Sequence, residues 1–308
     1  MSELDPKCIE AIELAEDAYD ADFYIYSAPI DHIGFGRVVN CFEVSRDNAV
    51  LILTTNGGLA NSAYQIARLF QNHYQNFTIF IPSVCKSAGT LLSIGAHSLV
   101  MSEFSELGPL DVQLYERDEI ISRRSGLLNH SAFEALKRES FDLYEHILLS
   151  IKQRSGDNIS FPVASQVAGE MATGLMAPIF EQISPNVIGS DYRDLQVAIH
   201  YGLRLAGQSG NIEAAGVQML TESYPSHDFI IDKEEAGKLF RNVETPRSEL
   251  WNLIRFFSDF VFYEHEDRIV MRLGALKEQQ VEDADHDEED ELGEDGDNTV
   301  EDGSEADS

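Results

Sequence analysis

Two short apolar runs, Ala49–Thr54 (AVLILT) and Phe77–Ile81 (FTIFI), constrain the fold of this 308-residue chain more than any other feature. Neither contains a charge. Continuous apolar runs of that length are what a strand needs when both of its faces are covered, as in a parallel sheet. Each run leads through small residues into a helical pattern. After the first come Gly57 and Gly58, then Ala63, Ile66, Ala67, Phe70 and Tyr74 at helical spacing. After the second comes Ser87–Ala96 (SAGTLLSIGA), whose small and apolar composition predicts a buried helix. Ser98–Met101 (SLVM) reads as a third strand. Repetition of strand and helix predicts right-handed βαβ crossovers and a mainly parallel sheet covered by helices.

The flanking segments read less sharply. Residues 6–20 have a modest helical pattern, and Ala21–Ser27 is an aromatic-rich strand. Asp31–Arg37 is expected as a turn-rich loop; its Gly-Phe-Gly lacks the third glycine and long helix of a dinucleotide fingerprint. Val38–Ser45 fits a short helix or an extended segment equally. Long helices are predicted over Ser131–Ile151 and, with Gly169 and Gly174 as interruptions, over Ala164–Ile183. Ser190–His200 is expected to be a helix capped by Ser190 or Asp191 and ended by Gly202. Asp228–Ile231 is expected as a strand, Asp232–Leu239 as a helix capped by Asp232, and Arg247–Val261 as one strongly apolar helix.

Charge narrows the partners. The formal charge is −32, with 54 acidic against 22 basic residues. Residues 282–308 hold fifteen Asp and Glu and no Lys or Arg, which leaves −17 on the remainder. So acidic a body excludes non-specific nucleic-acid binding, which needs Lys and Arg to displace counterions, and disfavours an anionic membrane surface. From Val281 onward nothing apolar recurs, so the tail is predicted to be disordered. Cys8, Cys41 and Cys85 form no CxxC pair, and neither a metal nor a cofactor is indicated. No stretch reaches the roughly 18 apolar residues of a spanning helix, and the N-terminus lacks a signal-peptide pattern. The expected location is the cytoplasm.

The candidate chemistry lies at the ends of the two apolar runs. A nucleophile at the start of a helix meets unpaired backbone N–H groups and a partial positive charge. Ser87 has that position, with the Ala88 N–H next to it. Gly57 and Gly58 end the preceding strand on the same edge of a parallel sheet. Small residues there are also what close helix–sheet packing requires, so this local pattern alone leaves both readings open.

A resemblance bears on the choice. TTNGGLANSAYQIA, PSVCKSAGTLLSIGAHSLVM and SELGPLDVQL resemble the ClpP/crotonase superfamily, and within it the serine dehydrogenase proteinase family, related to signal peptide peptidase A. The likeness runs over roughly residues 20 to 240. It implies a ClpP/crotonase-like α/β peptidase domain over 1–245; apolar pattern and composition are expected to give a C-terminal helical extension over 246–280 and a disordered acidic tail over 281–308. It implies serine peptidase activity on a peptide or protein substrate, without a cofactor, in a homo-oligomer. Ser87 is then the nucleophile; Gly57, Gly58 and Ala88 supply the oxyanion hole; His227 and Asp111 complete a triad. The SELGPLD segment has no histidine where Clp-type peptidases carry theirs, so the base comes from elsewhere. Lys137 is the alternative base, provided burial lowers its proton affinity. Lys86 adjoins Ser87 but is expected to point away. Two rival readings keep the same fold: a crotonase-like acyl-CoA enzyme that stabilises an enolate, and an inactive assembly module.

Overall fold

The computed structural model describes residues 5–110, 113–115, 123–226, 228–265 and 267–277. Asp111, His227 and the acidic tail over 281–308 lie outside the described residues.

In chain order the first half comprises α1 (Pro6–Tyr19), β1 (Ala21–Ser27), α2 (His32–Cys41), β2 (Asn48–Thr54), α3 (Ala60–His73), β3 (Asn76–Ile81), β4 (Val84–Cys85), α4 (Ala88–Ile94), β5 (Ser98–Met101) and β6 (Glu106–Leu107). There follow β7 (Gln113–Tyr115), β8 (Arg123–Ser125), α5 (Gly126–Arg154), α6 (Phe161–Phe180), α7 (Pro185–Ser209), α8 (Ala214–Glu222), α9 (Lys233–Leu239), β9 (Val243–Glu244), α10 (Ser248–Arg255), α11 (Ser258–Val261) and β10 (Ile269–Arg272). The central sheet has the order β10-β1-β2-β3-β5-β9. Strands β1, β2, β3, β5 and β9 run parallel, and β10 is antiparallel at the edge beside β1. This is the mainly parallel, helix-covered α/β architecture expected from the strand runs.

Both faces of the sheet are buried, and the alternation along each strand divides its side chains between two cores. Tyr24, Tyr26, Leu51, Leu53, Phe77, Ile79 and Leu99 meet α3, α4 and α7 on one face. Phe23, Ile25, Val50, Ile52, Phe80 and Val100 meet α1, α10 and α11 on the other. Each such fully buried large side chain is worth about 1.5–3 kcal/mol relative to exposure. The pairing Ile52–Phe80 and Phe80–Val100 sets strand ends level, so the turns after β2 and β3 emerge on one edge.

Several expectations change. Asp31–Arg37 is not a loop: Asp31 caps α2 by accepting the Gly34 N–H at 2.8 Å. Val38–Ser45 divides, with helix to Cys41 and irregular backbone after it. The predicted 190–200 helix is the middle of α7, which ends at Gly210 in the left-handed region (φ 65). Gly202 lies inside it because α8 packs there; a Cβ on it would come within 2.9 Å of Val217 Cγ1. Asp228–Ile231 contributes one antiparallel bridge, Leu107 with Ile231, rather than a strand. The predicted helix over 247–261 breaks into α10 and α11. These C-terminal helices pack on the sheet, and β10, which the sequence did not announce, completes it.

Candidate active site

The turn after β2 and the turn into α4 are knit together by backbone bonds. Thr55 N–H donates to Val84 O at 3.0 Å, and Lys86 N–H donates to Thr55 O at 3.0 Å. This short parallel bridge lays Gly57 against Ser87. A Cβ on Gly57 would sit 2.8 Å from Ser87 Cβ and 3.3 Å from its Oγ. Gly57 also has φ 112, a backbone that L side chains rarely adopt, so glycine is required there twice over.

Ser87 is 2% exposed and stands at the N-cap position of α4. Its side chain makes no capping bond, and its backbone has φ 52 and ψ −112. For a residue other than glycine that conformation costs on the order of 1–3 kcal/mol. The surrounding bonds impose it: Lys86 N–H is held by Thr55, Gly89 N–H donates to Lys86 O at 2.8 Å, and Leu91 N–H donates to Ser87 O at 3.1 Å. A serine on a strained strand-to-helix turn is how the unrelated α/β-hydrolases present their nucleophile; the likeness is one of geometry.

The backbone donors divide. The Gly57 N–H, expected to serve an oxyanion, instead donates to Thr55 Oγ1 at 3.1 Å. Gly57 O accepts the Ile30 N–H at 2.8 Å, and Leu59 N–H donates to Ile30 O at 2.7 Å. Because a trans peptide sets C=O and N–H on opposite sides, the Gly58 N–H faces away from Ile30. Among the described residues neither the Gly58 nor the Ala88 N–H has a hydrogen-bond acceptor.

Neighbouring groups are occupied in other ways. Lys86 points away from Ser87, as expected: its Nζ lies 3.3 Å from Glu106 Oε2. Cys85, two residues before Ser87, is fully buried, and burial pushes its thiol up to about 12. It is therefore a protonated, poorly nucleophilic group at neutral pH. Thr90 donates to Gly108 O at 2.7 Å, and Gly108 N–H to Cys85 O at 3.0 Å, which fixes the chain leading to Leu110 beside the serine turn. Leu107 and Ile231 exchange backbone bonds of 3.0 and 2.9 Å, which brings the segment after His227 to the same place.

Of the expected bases, His227 and its partner Asp111 lie outside the described residues. Lys137 is described. It sits on the exposed side of α5, with a side chain 68% accessible and its Nζ 3.6 Å from Glu134. It lines a groove of about 480 Å³ between α5 and α6, together with Phe141, Tyr144 and Phe180. The burial that a lysine base requires is not provided there. Among the described residues no cluster of His, Cys, Asp or Glu has the makings of a metal site. No described helix is long and apolar enough to cross a membrane.

Two contributors were not foreseen. Thr55 turns the Gly57 N–H inward, and Thr55-x-Gly57 is a side-chain turn pattern that sequence alone displays. Glu264 reaches the same turn from the far end of the chain: its Oε2 accepts the Asn56 N–H at 2.7 Å and the Thr55 hydroxyl at 3.3 Å.

Residues 40–122, which contain Thr55, Gly57, Gly58, Ser87 and Ala88, match the family described as ClpP-like SDH-type serine proteinases. Two uncharacterized proteins of Methanocaldococcus jannaschii are similar to the chain. MJ1495 is 27% identical over 136 residues, covering 40% of this chain and 44% of that protein. MJ0137 is 39% identical over 64 residues, covering 21% and 22%. The chain thus matches less than half the length of either curated relative. Two solved structures of the 1510-N membrane-bound stomatin-specific protease, both of mutants, are also similar. One is 17% identical, with a TM-score of 0.28, covering 46% of this chain and 66% of that chain. The other holds a substrate peptide and is 16% identical, with a TM-score of 0.41, covering 80% and 86%.

Proposed function

We propose that the chain is a serine peptidase in which Ser87 Oγ attacks the scissile carbonyl and forms an acyl-enzyme. The observation that carries this reading is the strained Ser87 backbone (φ 52, ψ −112), held in contact with Gly57 at the head of α4. The oxyanion donors in this reading are the N–H groups of Gly58 and Ala88. Each donor aimed at a developing oxyanion is worth about 2.7–4 kcal/mol of barrier. Gly57 contributes by having no side chain, since its own N–H is spent on Thr55.

The Ser87 proton passes to His227, whose tautomer Asp111 holds, and then to the leaving amine; water repeats the cycle on the acyl-enzyme. Support for this base comes from the backbone bonds that bring residues 107–110 and 231 to the serine turn. Lys137 is the alternative base and requires a second copy to bury it. Self-association belongs to the same reading. Val163, Val167, Met171, Leu175 and Ile179 make an exposed apolar stripe along α6, more than a solitary helix face warrants; light scattering showing only monomer at every concentration would remove it.

Reaction with a fluorophosphonate tests the proposal. The adduct is expected on Ser87 and is expected to vanish in Ser87→Ala. Of His227→Ala and Lys137→Ala, the one that abolishes labelling identifies the base. A chain that never labels is the inactive assembly module. One that hydrolyses or isomerises acyl-CoA without labelling is the crotonase-like enzyme.

A further inference from the structure

We infer that Glu264 is a positioning residue for the oxyanion turn, acting through Thr55 and Asn56; the inference rests on the reading of Ser87 as nucleophile. The turn Thr55–Gly58 takes hydrogen bonds from distant segments as well as its own. Glu264 supplies two. Its Oε2 accepts the Asn56 N–H at 2.7 Å and the Thr55 hydroxyl at 3.3 Å. The Thr55 hydroxyl lies 3.3 Å from Glu264 Oε2 and 3.4 Å from Gly57 O, and donation to the carboxylate, the charged acceptor, leaves its oxygen to accept the Gly57 N–H at 3.1 Å. That contact orients the peptide plane before Gly57, and the Ile30 N–H fixes the plane after it through Gly57 O. With both planes fixed, the Gly58 N–H keeps its direction away from Ile30. A carboxylate accepting two donors forms charge-assisted bonds, stronger than neutral ones.

The segment that carries Glu264 is itself clamped along the same sheet edge. Thr54 Oγ1 donates to Val261 O, Ser27 Oγ donates to Tyr263 O at 2.8 Å, and His265 N–H donates to Ser27 Oγ at 3.2 Å. Arg268 pairs with Asp31 at the cap of α2, and β10 then joins β1. The strand ends that build the candidate site and the chain end that carries Glu264 are therefore one assembly. A clamp that served the fold alone would need only the bonds to Ser27 and Thr54. The carboxylate goes further, to the donors of the turn that carries Gly57 and Gly58.

The test uses the full chain and fluorophosphonate labelling, resolved into the inactivation rate constant and the inhibitor affinity. Glu264→Ala is expected to lower the rate constant about 10-fold, with affinity unchanged, since misorientation of a reacting group costs rate rather than binding. Glu264→Gln keeps the acceptor oxygen and is expected to remain within about 3-fold of wild type. Thr55→Val removes the relay and is expected to slow labelling like Glu264→Ala. The double variant is expected to be no slower than either alone, the signature of one shared path. Equal labelling by wild type and Glu264→Ala overturns the role of Glu264. So does a loss shared by Glu264→Gln and matched by a drop in melting temperature, which marks a structural clamp only. Should Glu264→Ala not fold, additivity or its absence is replaced by the Thr55→Val comparison, where a wild-type rate overturns the relay. Labelling that survives Ser87→Ala overturns the nucleophile and this inference together, whereas labelling lost there and unchanged in Glu264→Ala overturns this inference alone.

Discussion

Gly57→Ala perturbs the candidate site at its tightest point. The added Cβ would lie 2.8 Å from Ser87 Cβ and 3.1 Å from Lys86 O. Both neighbours are held: Lys86 O accepts the Gly89 N–H, and Ser87 begins α4. The new methyl group therefore has to displace the serine or the turn. Ordinary carbon contacts are about 3.5–4.0 Å, so the two must separate by roughly 0.7–1.2 Å. Alanine at φ 112 adds backbone strain of about 1–3 kcal/mol. A shift of that size in a reacting group costs about 100-fold in rate. Fluorophosphonate labelling of Ser87, timed well below the melting temperature, is expected to slow by that factor while thermal unfolding shifts by only several degrees. Labelling at the wild-type rate, with an unshifted melting curve, would refute the contact on which the site is built.

Three further outcomes follow from the same geometry. Ser87→Gly is expected to abolish labelling yet raise stability by about 1 kcal/mol, because it releases strain of about 1–3 kcal/mol and costs up to about 1 kcal/mol in glycine entropy; calorimetry checks it, and a fall in stability would show that the Ser87 backbone is not strained. Cys85 is expected to resist iodoacetamide at pH 8 in the folded chain and to react on unfolding, because burial holds its thiol protonated up to about 12; peptide mapping reads this. Burial lowers the His97 proton affinity, and its Nδ1 accepts the Phe77 N–H at 3.0 Å. The unfolded chain therefore binds the proton more readily, so stability is expected to fall as pH drops through the ordinary histidine range. His97→Asn, which keeps an acceptor without titrating, is expected to flatten that part of the stability–pH curve.

Much of the fold is legible in the sequence because burial on both faces leaves a blunt signal. Ala49–Thr54 and Phe77–Ile81 have one reading only, and the helix after Gly58 follows from its spacing. Glycine misled where its reason was packing: Gly202 reads as a helix end and lies inside α7, where it admits Val217. The Asp31 cap shows how little sequence marks a short helix, since Gly34 and Gly36 outweigh one good capping residue in composition. Edge strand β10 has four residues and a single partner, so neither its length nor its alternation stands out. At the candidate site the serine and the glycines are local features that the sequence singles out. The direction of the Gly57 N–H is a property of Thr55, and Glu264 comes from 208 residues away. Contacts that join distant segments through one carboxylate leave no periodicity to read.

The central claim is that Ser87 is a nucleophile held ready by its strained turn. Incubating the chain with a fluorophosphonate and sequencing the adduct peptide tests it most directly. The account predicts a single covalent phosphonyl group on Ser87 in the folded protein, absent from Ser87→Ala and absent after unfolding. An unlabelled Ser87 in a folded chain, or an adduct on another residue that persists in Ser87→Ala, would contradict it.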